Sequence, residues 1–407
     1  MILWHRRALT KSTQLANNVL RPFQEFFRIE SSAGILLFIC TAVALFWANS
    51  PWSTTYSSFW QYSPAVDLGR FKFSKSLEHL VNDGLMAIFF LVVGLEIKRE
   101  LLVGEISSLK KAALPVIAAI GGMLVPASLF LSFNSGTEGS HGWGIPMATD
   151  IAFAIGVLSL LGNRIPLGLK VFLTALAIID DLGAVLVIAF FYTSEINGSA
   201  LIVAGMIFLL LLLLNYRGIR LISIYVVLGF FLWIALLKSG VHATIAGVLL
   251  AATIPAQFNR SLDQEGEGTS PLQKLEHTLH PWVSYFIMPV FALANAGIVV
   301  SAGFLSALTH SISAGIILGL VIGKQVGITL FAWLAVRLKL ASLPAHTRWI
   351  QLYGVGWLGG IGFTMSLFIA TLAYGESEIL ANAKLAILMG SVIAGFGGWA
   401  LLRSVRS

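Results

Sequence analysis

Twelve stretches of about twenty mostly apolar residues follow one another along the chain, each long enough to cross a hydrocarbon layer as a helix. They lie near 30–50, 78–101, 112–133, 143–160, 167–192, 198–215, 219–237, 241–258, 281–301, 313–336, 348–374 and 380–403. The pattern predicts an all-α membrane protein with about twelve transmembrane helices in a domain over 30–403. An even number of crossings puts the tails, 1–29 and 404–407, on one side. In the long loop at 50–75, TTYSSFWQY and GRFKFS alternate around Pro64 and Gly69, a pattern that suits a hairpin or an irregular loop equally. The polar run DQEGEGTSP, from Asp263 to Pro271, reads as a solvated linker.

Composition supports the bilayer: 57% of residues are hydrophobic and 11% charged, against about 25% charged in a typical soluble domain. Twenty Lys and Arg fall in the tails and the loops on their side, and five (Arg70, Lys72, Lys75, Lys238, Lys384) in the opposite loops. That bias places both termini in the cytoplasm. The net charge of +7 is scattered through short loops and not gathered in a stripe, which argues against a nucleic-acid partner. Cys40 is the single cysteine, so neither an intrachain disulfide nor a cysteine metal cluster can form. The first 29 residues carry Arg6, Arg7, Lys11, Arg21 and Arg28 without the apolar core of a signal peptide, and read as a cytoplasmic tail.

Against this background the buried charges stand out. Asp180 and Asp181 sit side by side in LTALAIIDDLGAVLVIAFF, from Leu173 to Phe191. A carboxylate at the centre of a membrane helix costs about 2.5–3.5 kcal/mol on insertion scales, so such residues persist mainly on ion or substrate pathways. Lys324 falls at the middle of 313–336 and Asp150 near the middle of 143–160, so all four groups are expected at one depth. Gly144 and Pro146 precede Asp150 closely, and YGVGWLGGIGFTMS puts Gly354, Gly356, Gly359, Gly360 and Gly362 within one span. Both spans are expected to be broken, with half-helix ends that need charged partners. The spacing of Gly319, Gly323 and Gly327 suits close helix packing instead.

The segments ATDIAFAIGVLSLLG, LAIIDDLGAV, LKSGVHATIAGV, LEHTLHPWV, GKQVGI and GIGFTMS, in this order, resemble the NhaA family of sodium/proton antiporters. The resemblance implies two inverted three-helix repeats, here 112–192 and 313–403, with two broken helices crossing at the midplane, an architecture for which this family is itself a standard example. It implies that Asp181 is the principal ligand of the ion, and that Asp180 either joins it or pairs with Lys324. Asp150 and Thr149 would stand at the interrupted helix. It further implies electrogenic exchange, with more protons entering than sodium ions leaving. Glu96, Arg99, Glu100, Glu276, His277 and His280 would form a pH-sensing group, and His242 matches a position tied to pH response. A homodimer through a hairpin at Thr54–Ser74, a bacterial inner membrane and no cofactor complete the expectation.

Elementary chemistry gives this reading a mechanism. Adjacent helical residues point about 100° apart, so the two aspartates can face different surroundings. Sodium or lithium, as a hard cation, takes oxygen ligands. Burial disfavours a charged carboxylate, so a proton competes for the same oxygens. An intramembrane aspartyl protease needs two carboxyls sharing one proton, which neighbours on one helix do not provide, and no GxGD motif occurs. A channel would present rings of equivalent groups. A sodium-coupled carrier of another solute remains the alternative, although the segments around Asp150, Asp180 and Lys324 offer almost no group to recognise one.

Overall fold

Backbone polar groups cannot go unpaired in hydrocarbon, so the apolar stretches close their hydrogen bonds internally as helices. The computed structural model describes residues 29–67, 72–104, 106–193, 196–256, 270–299, 308–375 and 377–405. All but the last residue of the expected tail at 1–29, and most of the Asp263–Pro271 run, lie outside them.

The chain opens with α1 (Ile29–Ala48) and a short helix α2 (Ser53–Gln61). TTYSSFWQY is therefore helical and not a strand. Its aromatic residues recur one turn apart, so Tyr56 and Trp60 both bury themselves, with Tyr56 set edge-on to Trp47 at 5.3 Å between ring centroids. Beyond it, β1 (Ala65–Asp67) and β2 (Lys72–Ser74) pair antiparallel with Val66 opposite Phe73.

Next come α3 (Leu77–Val103), α4 (Leu109–Asn134), a 3₁₀ segment (Glu138–Met147) and α5 (Ile151–Ser159). They are followed by α6 (Leu167–Phe191), α7 (Gly198–Tyr216) and α8 (Ile222–Ser239). The span expected at 241–258 is only α9 (Ile245–Thr253). Gly240, at φ 84°, ends α8 in a left-handed turn and Pro255 closes the next helix early. Nine residues reach about 14 Å at 1.5 Å each, well short of a crossing. The span expected at 281–301 begins instead at Pro271, where Ser270 and Gln273 cap α10 (Pro271–Trp282) reciprocally. A wide π-type turn, Val283–Ile287, carries it into α11 (Met288–Asn295).

The last elements are α12 (Ser311–Arg337), α13 (Trp349–Gly359), α14 (Phe363–Tyr374) and α15 (Glu378–Ser404). Among the described residues eight helices are long and apolar enough to cross a membrane, and the two bent pairs raise the number to ten. On α7 the large side chains Ile202, Met206 and Leu209 are exposed, a surface suited to hydrocarbon and not to water.

Small residues let the inner helices touch. α4 lies along α12, and a Cβ added at Gly121 or at Gly327 would run into the carbonyl oxygen of the other. Gly323 packs on Pro126 and Gly319 on Pro146 in the same way. Gly327→Val is therefore expected to cost about 1–3 kcal/mol, the range for overpacking a filled interior, read as a lower midpoint of thermal unfolding in detergent. Gly319–Gly323 also forms a π-type turn, and Lys324 is the first residue after it.

Candidate ion-binding site

Two spans are broken where they meet. Between the 3₁₀ segment and α5 the backbone runs extended through Ala148–Asp150, with a bend of 41°; between α13 and α14 it unwinds at Gly360–Gly362, with a bend of 43°. The Asp150 N–H donates to Ile361 O at 2.6 Å, the Thr149 hydroxyl to Gly359 O at 2.8 Å and the Ser366 hydroxyl to Ile145 O at 2.7 Å. Each break thus supplies partners for the other's freed backbone. Only two of the five glycines in the rich run, Gly360 and Gly362, lie in the gap; Gly354 and Gly356 stay helical and pack against Leu402 and Gln325. Gly144 and Pro146 lie inside the 3₁₀ segment, ahead of the break they were expected to make.

Asp150 is the N-cap of α5. One carboxylate oxygen accepts from Phe153 N–H at 3.1 Å; the other accepts from Thr364 N–H at 3.0 Å and from the Thr364 hydroxyl. One negative charge therefore faces the positive ends of two half-helices. Lys324 does the converse, donating to Met147 O at the C-terminal end of the 3₁₀ half and to Asp180 Oδ2 at 2.5 Å. Asp150, Asp180, Asp181 and Lys324 are all at most 3% exposed. Asp181 is next along α6, and its Oδ1, like Asp180 Oδ1, is buried without a hydrogen-bond donor. Buried carboxylate oxygens with free lone pairs, beside a fixed ammonium, can take up a proton or a small cation. Asp150 binds Thr364 and not Lys324, a partner hidden in sequence because a threonine two residues after a glycine break carries no charge.

The second expected group lies between α3 and α10. Arg99 Nε donates to Glu276 Oε1 at 3.0 Å and Arg99 Nη2 meets Glu100 Oε1 at 3.1 Å. Glu96 Oε1 and Glu276 Oε2 are buried without a donor. His280 Nε2 contacts Glu30 Oε1 at 3.2 Å, and the Ser284 hydroxyl donates to the same oxygen at 3.1 Å. Glu30 is an addition that sequence reading missed, although an acidic residue opening the first apolar stretch was its signal. His277 is exposed, and His242 Nε2 donates to Tyr192 O at 2.6 Å, at the end of α6. Lys98 caps α9 through Ala252 O and Ile254 O at 2.7 and 2.6 Å.

The chain matches the family described as Na+/H+ antiporter 1 over residues 24–402. It is 52% identical to a Na(+)/H(+) antiporter NhaA of Oleidesulfovibrio alaskensis, over 96% of this chain and 95% of that one. It is also 52% identical to the protein of that name from Tolumonas auensis, over 94% of each. To the one from Escherichia coli O1:K1 it is 50% identical, over 94% of this chain and 98% of the relative. A match of this extent, on a helical chain with two crossed broken spans, means that the protein belongs to the Na+/H+ antiporter 1 family.

Proposed function

We propose that this chain exchanges sodium for protons across a membrane, using Asp181 as the principal ligand and Asp180 as its partner. The family and its relatives support the exchange itself: the chain is a sodium/proton antiporter, a multi-pass membrane transporter and not an enzyme. The residue roles rest on one observation above others, the free Oδ1 of a buried Asp181 beside an Asp180 already held by Lys324. In a protease dyad the two carboxyls would share one proton; a carboxylate engaged by an ammonium argues against it.

In the proposed cycle a proton or a cation neutralises Asp181, never both, so loading one releases the other. Arrival of sodium draws Asp180 away from Lys324, and Thr149, with carbonyls of the breaks, completes an oxygen shell of the kind hard cations favour. Asp150 holds the two half-helices together while this happens. Two carboxylates and one ammonium around a single cation allow more protons to enter than sodium ions leave, which makes the exchange electrogenic. Lithium fits the same oxygens. Both cargoes are ions, so the cycle calls for no cofactor.

The same reading places the protein in a bacterial inner membrane with cytoplasmic termini, as a homodimer joined through the loop at 50–75. It assigns pH regulation to Glu96, Arg99, Glu100, Glu276, His277 and His280, with His242 acting at a separate position. Removing the cation from that acidic group favours its protonated form. Arg99→Gln is thus expected to move the pH at which exchange switches on upward by about one unit, read from exchange rates in vesicles across a series of pH values.

The test of the function is direct. Everted vesicles holding a respiratory proton gradient should lose it on addition of NaCl or LiCl and keep it on addition of KCl. Equal loss with all three salts would refute selective exchange.

A further inference from the structure

The 3₁₀ segment Glu138–Met147 is held from outside itself. Hydrogen bonds within such a helix are poorly aligned, and here side chains of other helices take its carbonyls in succession. Tyr374 OH donates to Gly139 O and Tyr192 OH to His141 O, both at 2.8 Å. Tyr192 OH also accepts from Gly144 N–H at 3.4 Å. Ser366 and Lys324 then occupy Ile145 O and Met147 O, closer to the buried charges. Trp143 of the segment packs edge-on against Phe191 at 5.1 Å between centroids. Two glycines make room for the phenols: a Cβ at Gly142 would strike Tyr374 OH, and one at Gly144 would come within 2.9 Å of Tyr192 OH.

The two tyrosines belong to the helices that carry the site. Tyr192 ends α6, about 16 Å beyond Asp181, and Tyr374 ends α14, about 15 Å beyond Thr364, at 1.5 Å per residue. Each phenol is the far end of a rod whose near part bears a buried charge or its partner. Neutral hydrogen bonds of this kind are modest in net strength and can be exchanged.

We propose that Tyr192 and Tyr374 clamp the 3₁₀ segment over the ion site at the end remote from the cytoplasm, and are positioning residues that govern access from that side. The assignment of sides rests on the orientation given above. Phenylalanine keeps each ring and removes only the hydroxyl, so Tyr192→Phe with Tyr374→Phe isolates the clamp.

The experiment uses full-length protein with Cys40→Ser and Ile145→Cys, whose thiol lies behind the clamp at a position now fully buried. A charged, membrane-impermeant thiol reagent is applied to right-side-out and to everted vesicles. Loss of the hydroxyls should raise the labelling rate about tenfold in right-side-out vesicles, a population shift that a few hydrogen bonds can produce, and leave it unchanged in everted ones. A mere loss of stability would speed both sides alike. Equal rates with and without the hydroxyls, or a two-sided increase, overturn the clamp. A rise confined to everted vesicles would keep the clamp and overturn the orientation. Should the double variant not fold, Tyr374→Phe alone is read by the same outcomes.

Discussion

Asp181→Asn is expected to abolish sodium-dependent exchange while leaving the protein folded. The substitution is nearly isosteric, and Asp181 Oδ1 has no hydrogen-bond donor to lose. What disappears is the charge for which proton and sodium compete. Truncating one side of a buried charged contact costs about 2–5 kcal/mol, which is roughly 30-fold to several thousand-fold in ion affinity. Stability should hold or rise, because a buried charge without a partner has been removed. Gradient collapse in everted vesicles and the thermal midpoint of the purified variant read the two halves of the prediction. A variant with normal sodium affinity would show that another group binds the ion.

Lys324→Ala should have the largest effect on stability. The ammonium is fully buried and joins Asp180 Oδ2 to Met147 O, so its removal strands a carboxylate and a half-helix end together. Breaking a buried pair from one side costs about 3–5 kcal/mol. Adding Asp180→Asn removes the stranded charge and should recover most of that loss, a coupling that a double-mutant cycle measures. If the single and double variants unfold at the same point, the pair is not what holds the site. Where folded protein survives, the charge moved per cycle separates two roles: an unchanged value makes Lys324 a counter-charge, and an altered value makes it a proton carrier.

Residues that could only be buried at a cost were the ones legible in the sequence. Asp180 and Lys324 lie 144 positions apart, yet mid-span placement of opposite charges already implied that they meet. The two breaks were equally legible, since freed backbone in a membrane needs partners. Exact positions were not: Gly354 and Gly356 carry the same signal as Gly360 and Gly362 but serve packing. Thr364 escaped notice because a neutral hydroxyl is unremarkable until the Asp150 carboxylate is seen against it. The α2 helix was not legible, because aromatic residues at short range satisfy a strand pattern and a helical face alike. The π-type turns at Val283–Ile287 and Gly319–Gly323 leave no mark in an apolar run.

Exchange by this mechanism depends on competition between a proton and an alkali cation for the same buried oxygens. Sodium binding to the purified protein, followed by calorimetry at a series of pH values in buffers of different ionisation enthalpy, tests this most directly. Competition for one carboxylate predicts that binding releases protons and that apparent affinity weakens about tenfold for each unit of falling pH once that carboxylate is protonated. Sodium affinity that stays constant across the whole pH range, with no proton released, would contradict it.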